Sequence, residues 1–165
     1  VIEIKQRIIA GTSSPQKGDC FKCCIASILE LPYESVPHFV QGEWVPSSGP
    51  TDYTSAANDW LKVNGWPLRL ESVRYFKQEF LDGHLKQDPE DLTNVYERLP
   101  HPKEYRFGQW WIGGVISENY PGCLHAIVMR ERDVVFDPST LPRRTPYEFV
   151  GGYYFVPTEP WRCRS

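Results

Sequence analysis

Three residues, far apart in a chain of 165, have the types that nucleophilic acyl chemistry needs: a cysteine, an imidazole and a carboxylate that orients the imidazole. The cysteine is Cys20, in Gly18-Asp19-Cys20-Phe21-Lys22-Cys23-Cys24. It follows a Gly-Asp turn and opens a helical pattern. A thiol so placed faces the free amides and the dipole of a helix N-terminus, which favour the thiolate form. The imidazole is His125, in Cys123-Leu124-His125-Ala126-Ile127-Val128-Met129, and the carboxylate is Asp137, in Val134-Val135-Phe136-Asp137-Pro138. Taken singly, each has a plainer reading. Cys20 could be a small apolar filler at a helix start, His125 a core or edge histidine and Asp137 a turn residue before a proline. Their combination is what points to catalysis.

Two elements must position these side chains. For the first, Asp19 offers an N-cap and Cys20 lies inside the first turn. Phe21, Cys24, Ile25, Ile28 and Leu29 then recur at helical spacing as one apolar face, with Cys20 at its margin and Lys22 and Cys23 away from it. This helix is expected to run to about Leu31, where Pro32 stops it. For the second, two apolar runs flank the polar residues 130–133 and predict a hairpin, with His125 near the start of one strand and Asp137 at the end of the other. In an antiparallel pair those positions lie side by side, so the hairpin itself predicts a His–Asp contact.

In this order, a cysteine at a helix start, a histidine in a strand and Asp-Pro closing the next strand, the residues resemble the papain-like cysteine peptidase superfamily. They are most similar to its compact bacterial and phage branch, which includes the bacteriocin-leader-processing peptidases. The Gly-Asp-Cys…Ala-Ser-Ile-Leu…Leu-Pro…Val-Pro-His-Phe run, residues 18–39, is also similar to a segment common in small phage and bacterial proteins of that type. The resemblance covers the first quarter and the His/Asp hairpin, and the middle of the chain poorly. It implies Cys20 as nucleophile, His125 as general base and Asp137 as orienting acid. It further implies a peptidase, isopeptidase or amidase acting through an acyl-enzyme on a peptide or protein substrate, with no cofactor and no metal. The family's oxyanion-hole glutamine normally stands about six residues before the cysteine. Position 14 here is Ser14, so Gln16, which is nearer, and Gln6, which is farther, are the candidates.

Two other readings stand beside this one. The scaffold could be retained without catalysis, as a binding or interaction module. Alternatively Cys20, Cys23, Cys123 and His125 could supply four zinc ligands of acceptable type. Against zinc, Cys20 and Cys23 share one helix and the second pair has no knuckle turn. Trp110 and Trp111 alternate faces of a strand, so one is expected in the core and the other as the floor of a substrate groove. Cys123 is expected as a neighbour of His125, Cys23 as a spectator and Cys24 as a core residue. His38, His84 and His101 fall in or beside loops and are weaker candidates for the base.

Composition bounds the fold class and the partners. A content of 41% hydrophobic and 14% aromatic residues suits one globular domain, residues 1–165, with its own core. Fifteen prolines and twelve glycines point to many loops, hence to an α+β fold rather than a helical bundle. A net charge of -3 and a pI near 5.8 give no basic face for nucleic acid. No apolar run approaches the length of a membrane span, and the first residues lack the order of a secretion signal. Five cysteines, odd in number and unevenly spaced, fit a reduced cytoplasmic protein better than a disulfide scaffold.

Along the chain, residues 2–9 alternate and predict a strand. Ala56, Ala57, Trp60 and Leu61 predict a second helix starting at Asp52 or Thr54 and ended by Asn64-Gly65. A strand over 67–75 follows. Asp88-Pro89 opens a helix with Leu92, Val95, Tyr96 and Leu99 on one face. Residues 105–117 have strand character, with Gly113-Gly114 marking a bulge or a close backbone approach. After the His/Asp hairpin an aromatic strand over 147–156 closes the chain. Helices first and strands later predict a helical layer on a C-terminal antiparallel sheet; the resemblance names that arrangement papain-like.

Overall fold

Among the described residues, two α-helices and five strands form where the apolar pattern and the turn residues direct them, and the two helices meet one face of the sheet. A computed structural model describes residues 1–8, 17–73, 110–120, 123–130 and 133–158. Helix α1 (Cys20–Leu29) ends at Glu30, which takes a left-handed conformation and returns its N–H to the carbonyl of Ala26. Helix α2 (Tyr53–Val63) is capped by Asp52, whose side chain accepts from the Ser55 amide, and ends beside Gly65 at φ +77°. The strands are β1 (Leu68–Val73), β2 (Trp110–Ile116), β3 (Leu124–Arg130), β4 (Asp133–Phe136) and β5 (Phe149–Pro157). They form one antiparallel sheet in the order β1-β5-β2-β3-β4, so β5 lies between β1 and β2. The fold is α+β.

Period-two alternation divides the strand residues between two apolar layers. Ile112, Ala126, Val128 and Phe155 face the helices and close a core with Ile25, Ile28, Trp60 and Leu61. Their neighbours Trp111, Val115, Ile127, Met129 and Tyr154 form a second cluster on the opposite face, with Trp111 stacked on Tyr154 at 5.1 Å between ring centres. Glycines allow the strands to meet so closely. A Cβ at Gly152 would stand 2.8 Å from the Trp111 ring, and the β2–β5 register shifts between Gly114 and Val115. The Gly113-Gly114 pair therefore marks both a close approach and a bulge.

Several expectations from sequence need correction. Residues 2–8 do not form a strand; they make an extended strap across α1 and the loop after β4. Their amides go to separate partners: Ile2 to the Ser27 carbonyl, Ile4 to the Ser27 hydroxyl and Gln6 to the Pro138 carbonyl. No ladder partner is met, and alternation alone cannot supply one. The strap also changes α1. Lys22 and Cys23, expected on the outer face, are 7% and 0% exposed. Cys23 Sγ donates to the Lys5 carbonyl, and the Lys22 ammonium lies 3.7 Å from the centre of the Tyr33 ring. α1 is a helix buried on all sides beyond its first residue. The helix predicted after Asp88-Pro89 lies outside the described residues, as do His84 and His101. No helix among the described residues is long and apolar enough to cross a membrane.

Candidate active site

Cys20 is the first residue of α1, so its amide and those of Phe21 and Lys22 have no acceptor within the helix, whereas the Cys23 amide reaches the Asp19 carbonyl at 3.0 Å. Asp19 does not cap them with its side chain. Fully buried, it accepts instead from the amides of Arg7 and Ile8 in the strap, at 3.2 and 3.3 Å, and from the Tyr33 hydroxyl at 2.6 Å. The expected cap is therefore a tether. Its carboxylate holds the strap against the start of the helix and leaves the first amides of α1 without a side-chain cap from Asp19.

The sulfur of Cys20 meets β3. The backbone amide of Ala126 donates to Cys20 Sγ at 3.4 Å. This amide is free for the sulfur because β4 ends early: its last paired residue is Phe136, opposite Val128. Continuing that register would bring Pro138 opposite Ala126, but the Pro138 carbonyl accepts from Gln6 at 2.9 Å. Where a ladder bond would have formed, the N-terminus of α1 enters the gap.

The residue before Ala126 is His125, and its ring stands between the other two members of the set. Its Nε2 is 2.6 Å from Asp137 Oδ1, and Cys20 lies close enough to act on the same ring. With Nε2 taken by Asp137, Nδ1 is the nitrogen left for sulfur. The two side chains are 13% and 21% exposed, enough shelter to strengthen the pairing while keeping access to a reactant. Burial pushes the imidazolium of His125 down, but the hydrogen bonds to Asp137 and Cys20 and their charges outweigh it and raise the group to about 9. Burial likewise opposes the charge of Asp137. The hydrogen bond and charge of His125, with the Ser139 amide and the Tyr147 hydroxyl, overcome it and hold the carboxyl below its ordinary value. Both directions describe the same stabilised pair of charges.

The three residues open onto a cleft of about 530 Å³. Phe21, Val40, Tyr53, Leu124, Leu141 and Tyr153 supply much of its apolar wall. Tyr53 and Tyr153 hydrogen-bond to each other through their hydroxyls, and Phe21 sits edge-on to both rings at 5.2 Å. Of the oxyanion candidates, Gln6 reaches the cleft wall, with its Nε2 donating to the Ile8 carbonyl at 3.2 Å. One N–H of that amide remains for another acceptor. Gln16 lies outside the described residues.

One of the two tryptophans is not where the sequence put it. Trp111 is fully buried in the second core, as expected of one of the pair, but Trp110 does not floor the cleft. It packs beside the first core, with the Arg130 guanidinium 5.3 Å from its ring centre. Both occupy the far end of β2: Trp110 pairs with Arg130, whereas His125 pairs with Val115. A strand carries its ends too far apart for one residue to serve both places. Cys123 is exposed and shares the cleft wall. Cys23 is turned to Lys5, its thiol pushed up to about 12 by burial first and by the charge of Asp19 second. Among the described residues no three side chains of His, Cys, Asp or Glu are grouped as a metal site, so the four zinc candidates do not converge. His38, in the segment between α1 and α2, is buried, with Nε2 2.9 Å from the carbonyl of Lys17 in the loop before α1.

Sequence reasoning missed two contributors. One is the Ala126 amide, which no side-chain pattern could reveal. The other is Tyr147, whose hydroxyl donates to Asp137 Oδ2 at 2.9 Å from a non-repetitive segment before β5. Compared with protein-family models, with curated proteins and with solved structures, the chain matches none.

Proposed function

We propose that this chain is a papain-like cysteine hydrolase, a peptidase, isopeptidase or amidase that works through an acyl-enzyme on Cys20. The observation that carries the reading is the His125 ring, held by Asp137 at Nε2 and lining one cleft with Cys20, whose Sγ accepts from the amide of the next residue along β3, Ala126. In the first step His125 takes the thiol proton through Nδ1 and the sulfur attacks the carbonyl carbon of the substrate. The negative oxygen that develops faces the first amides of α1, with Gln6 as a second donor from the cleft wall. Each such donor is worth about 3 kcal/mol. His125 returns the proton to the leaving amine as the tetrahedral species collapses to a thioester. Water, deprotonated by the same ring, then releases the acid. Asp137 keeps the imidazole oriented and stabilises its cationic form throughout.

The substrate in this reading is a peptide or protein segment whose apolar side chains meet the Phe21, Tyr53 and Tyr153 wall and the exposed Leu124 and Leu141. A reducing, cytoplasmic setting belongs to the same proposal. It is supported by Cys20, Cys23, Cys24 and Cys123, which are all free thiols.

Labelling with a peptidyl vinyl sulfone tests the function. Wild type is expected to react at Cys20 at mildly acidic pH, Cys20→Ala not at all, and His125→Ala at least about tenfold more slowly. Equal labelling of wild type and Cys20→Ala would show that Cys20 is not the activated thiol.

A further inference from the structure

The carboxylate of Asp137 is held at both oxygens by groups from different parts of the chain. Oδ1 receives His125 Nε2 from β3 at 2.6 Å and the Ser139 amide at 2.9 Å. Oδ2 receives the Tyr147 hydroxyl at 2.9 Å. Tyr147 is itself fixed. Its ring lies 6.3 Å from that of Phe149 at the start of β5, and the Arg143 guanidinium sits 4.2 Å from its ring centre. Arg143 is pinned in turn by the carbonyls of Thr145, Ile116 and Pro146. The segment after β4 thus folds back so that a rigid phenol closes on the carboxylate from the side opposite His125.

We infer that Tyr147 is a positioning residue for the proposed triad, its hydroxyl fixing the plane of the Asp137 carboxylate and through it the His125 ring; the inference rests on the reading of Cys20 as nucleophile. Contacts on Oδ1 alone leave the carboxylate free to rotate about the bond to Cβ. With Oδ2 engaged as well, rotation must break a charge-assisted hydrogen bond. The imidazole is carried by that carboxylate, and a displacement of about 1 Å in a catalytic group costs as much as a hundredfold in rate. The hydroxyl also places a donor on the charged form of Asp137. The other groups facing this carboxyl are His125 from β3 and the Ser139 amide beside it, with the buried Cys24 thiol in α1 acting at longer range. Lys5 reaches over from the strap to the Asp137 carbonyl at 2.9 Å. Among these groups, Tyr147 is the one that donates to Oδ2.

Tyr147→Phe removes the hydroxyl and keeps the ring against Phe149 and Arg143. Iodoacetamide labelling of wild type and Tyr147→Phe over roughly pH 4 to pH 8, with the modified thiol assigned by mass spectrometry, gives the rate at Cys20 with Cys123 as the exposed control. Tyr147→Phe is expected to slow Cys20 about tenfold and leave Cys123 unchanged. It should also move the acid limb of the Cys20 profile up by about one pH unit, because a donor to the charged carboxylate has been lost. The acid-side inflection of the His125 ring signals in NMR, which reports protonation of the adjoining Asp137 rather than the ring's own titration, reads the same limb whether or not Cys20 is reactive. An acid-side inflection in Tyr147→Phe identical to wild type overturns the inference. So does a slower Cys20 whose acid limb has not moved, since that reports only a structural loss. A wild-type Cys20 that reacts no faster than Cys123 sinks the enzymatic reading instead.

Discussion

Asp137 acts on His125 both as an oriented acceptor and as a negative charge, and the two contributions separate by substitution. Asparagine at this position keeps an oxygen for His125 Nε2 and the Ser139 amide, and its NH2 can donate to the Tyr147 hydroxyl, so the ring stays in place. The charge is lost. Asp137→Asn is therefore expected to hold Cys20 labelling within about tenfold of wild type, while the His125 titration falls from about 9 toward its ordinary 6.5. Asp137→Ala removes both contributions and should cost about a hundredfold or more. A pair of NMR titrations with parallel labelling rates checks this, and equal rates for the two variants would mean that charge alone matters. The Ala126 amide, donating to Cys20 Sγ at 3.4 Å, is beyond the reach of side-chain substitution because it belongs to the strand itself.

At the scale of elements, the placing of Cys20 depends on two ends that stop at the right residue. β4 ends at Phe136 and leaves the Ala126 amide to the sulfur, and α1 begins at Cys20 beside the strap. Asp19 joins the strap to the helix start. It is 0% exposed and accepts from two backbone amides and one hydroxyl. Asp19→Ala leaves those three donors without their acceptor, at a cost of about 3 kcal/mol. Denaturant unfolding should show that loss. Hydrogen exchange should show faster exchange at Arg7 and Ile8 before any change in β3. Unchanged exchange at those two amides would mean that the strap is held by its other bonds, those of Ile2, Ile4 and Gln6. Gln6 reaches the cleft on the same strap, so the tether positions a proposed oxyanion donor as well.

For the molecule as a whole, the His125–Asp137 pair makes stability depend on pH in a defined window. His125 is raised from 6.5 to about 9 on folding, so its contribution is fully present below pH 6.5 and is lost as pH rises toward 9. Asp137 is lowered from 3.8, so its contribution is present above pH 3.8 and is lost as pH falls through the depressed value. The two shifts report largely one contact and are not added. Wild type should therefore exceed His125→Ala in stability most clearly between pH 3.8 and 6.5, with a margin that shrinks toward pH 9. Denaturation of both proteins at several pH values measures that margin, and a margin that grows with pH would reverse the assignment.

What the sequence determined by itself was local. Helical spacing from Phe21 to Leu29 identified α1, Asp52 or Thr54 and Asn64-Gly65 bounded α2, and two apolar runs around a polar turn predicted the contact of His125 with Asp137, although Asp137 lies one residue past the end of β4. These follow from periodicity and from a hairpin's register, both carried by neighbours in sequence. Only the tertiary structure decided that residues 2–8 would be a strap, that Lys22 and Cys23 would be buried and that Trp110 would miss the cleft. It also brought in Tyr147 and the Ala126 amide. The order β1-β5-β2-β3-β4 inserts β5 between β1 and β2. Contacts across such a sheet join residues remote in the chain, and a free amide at a strand's end depends on where its neighbour stops. No local pattern of residue types encodes either.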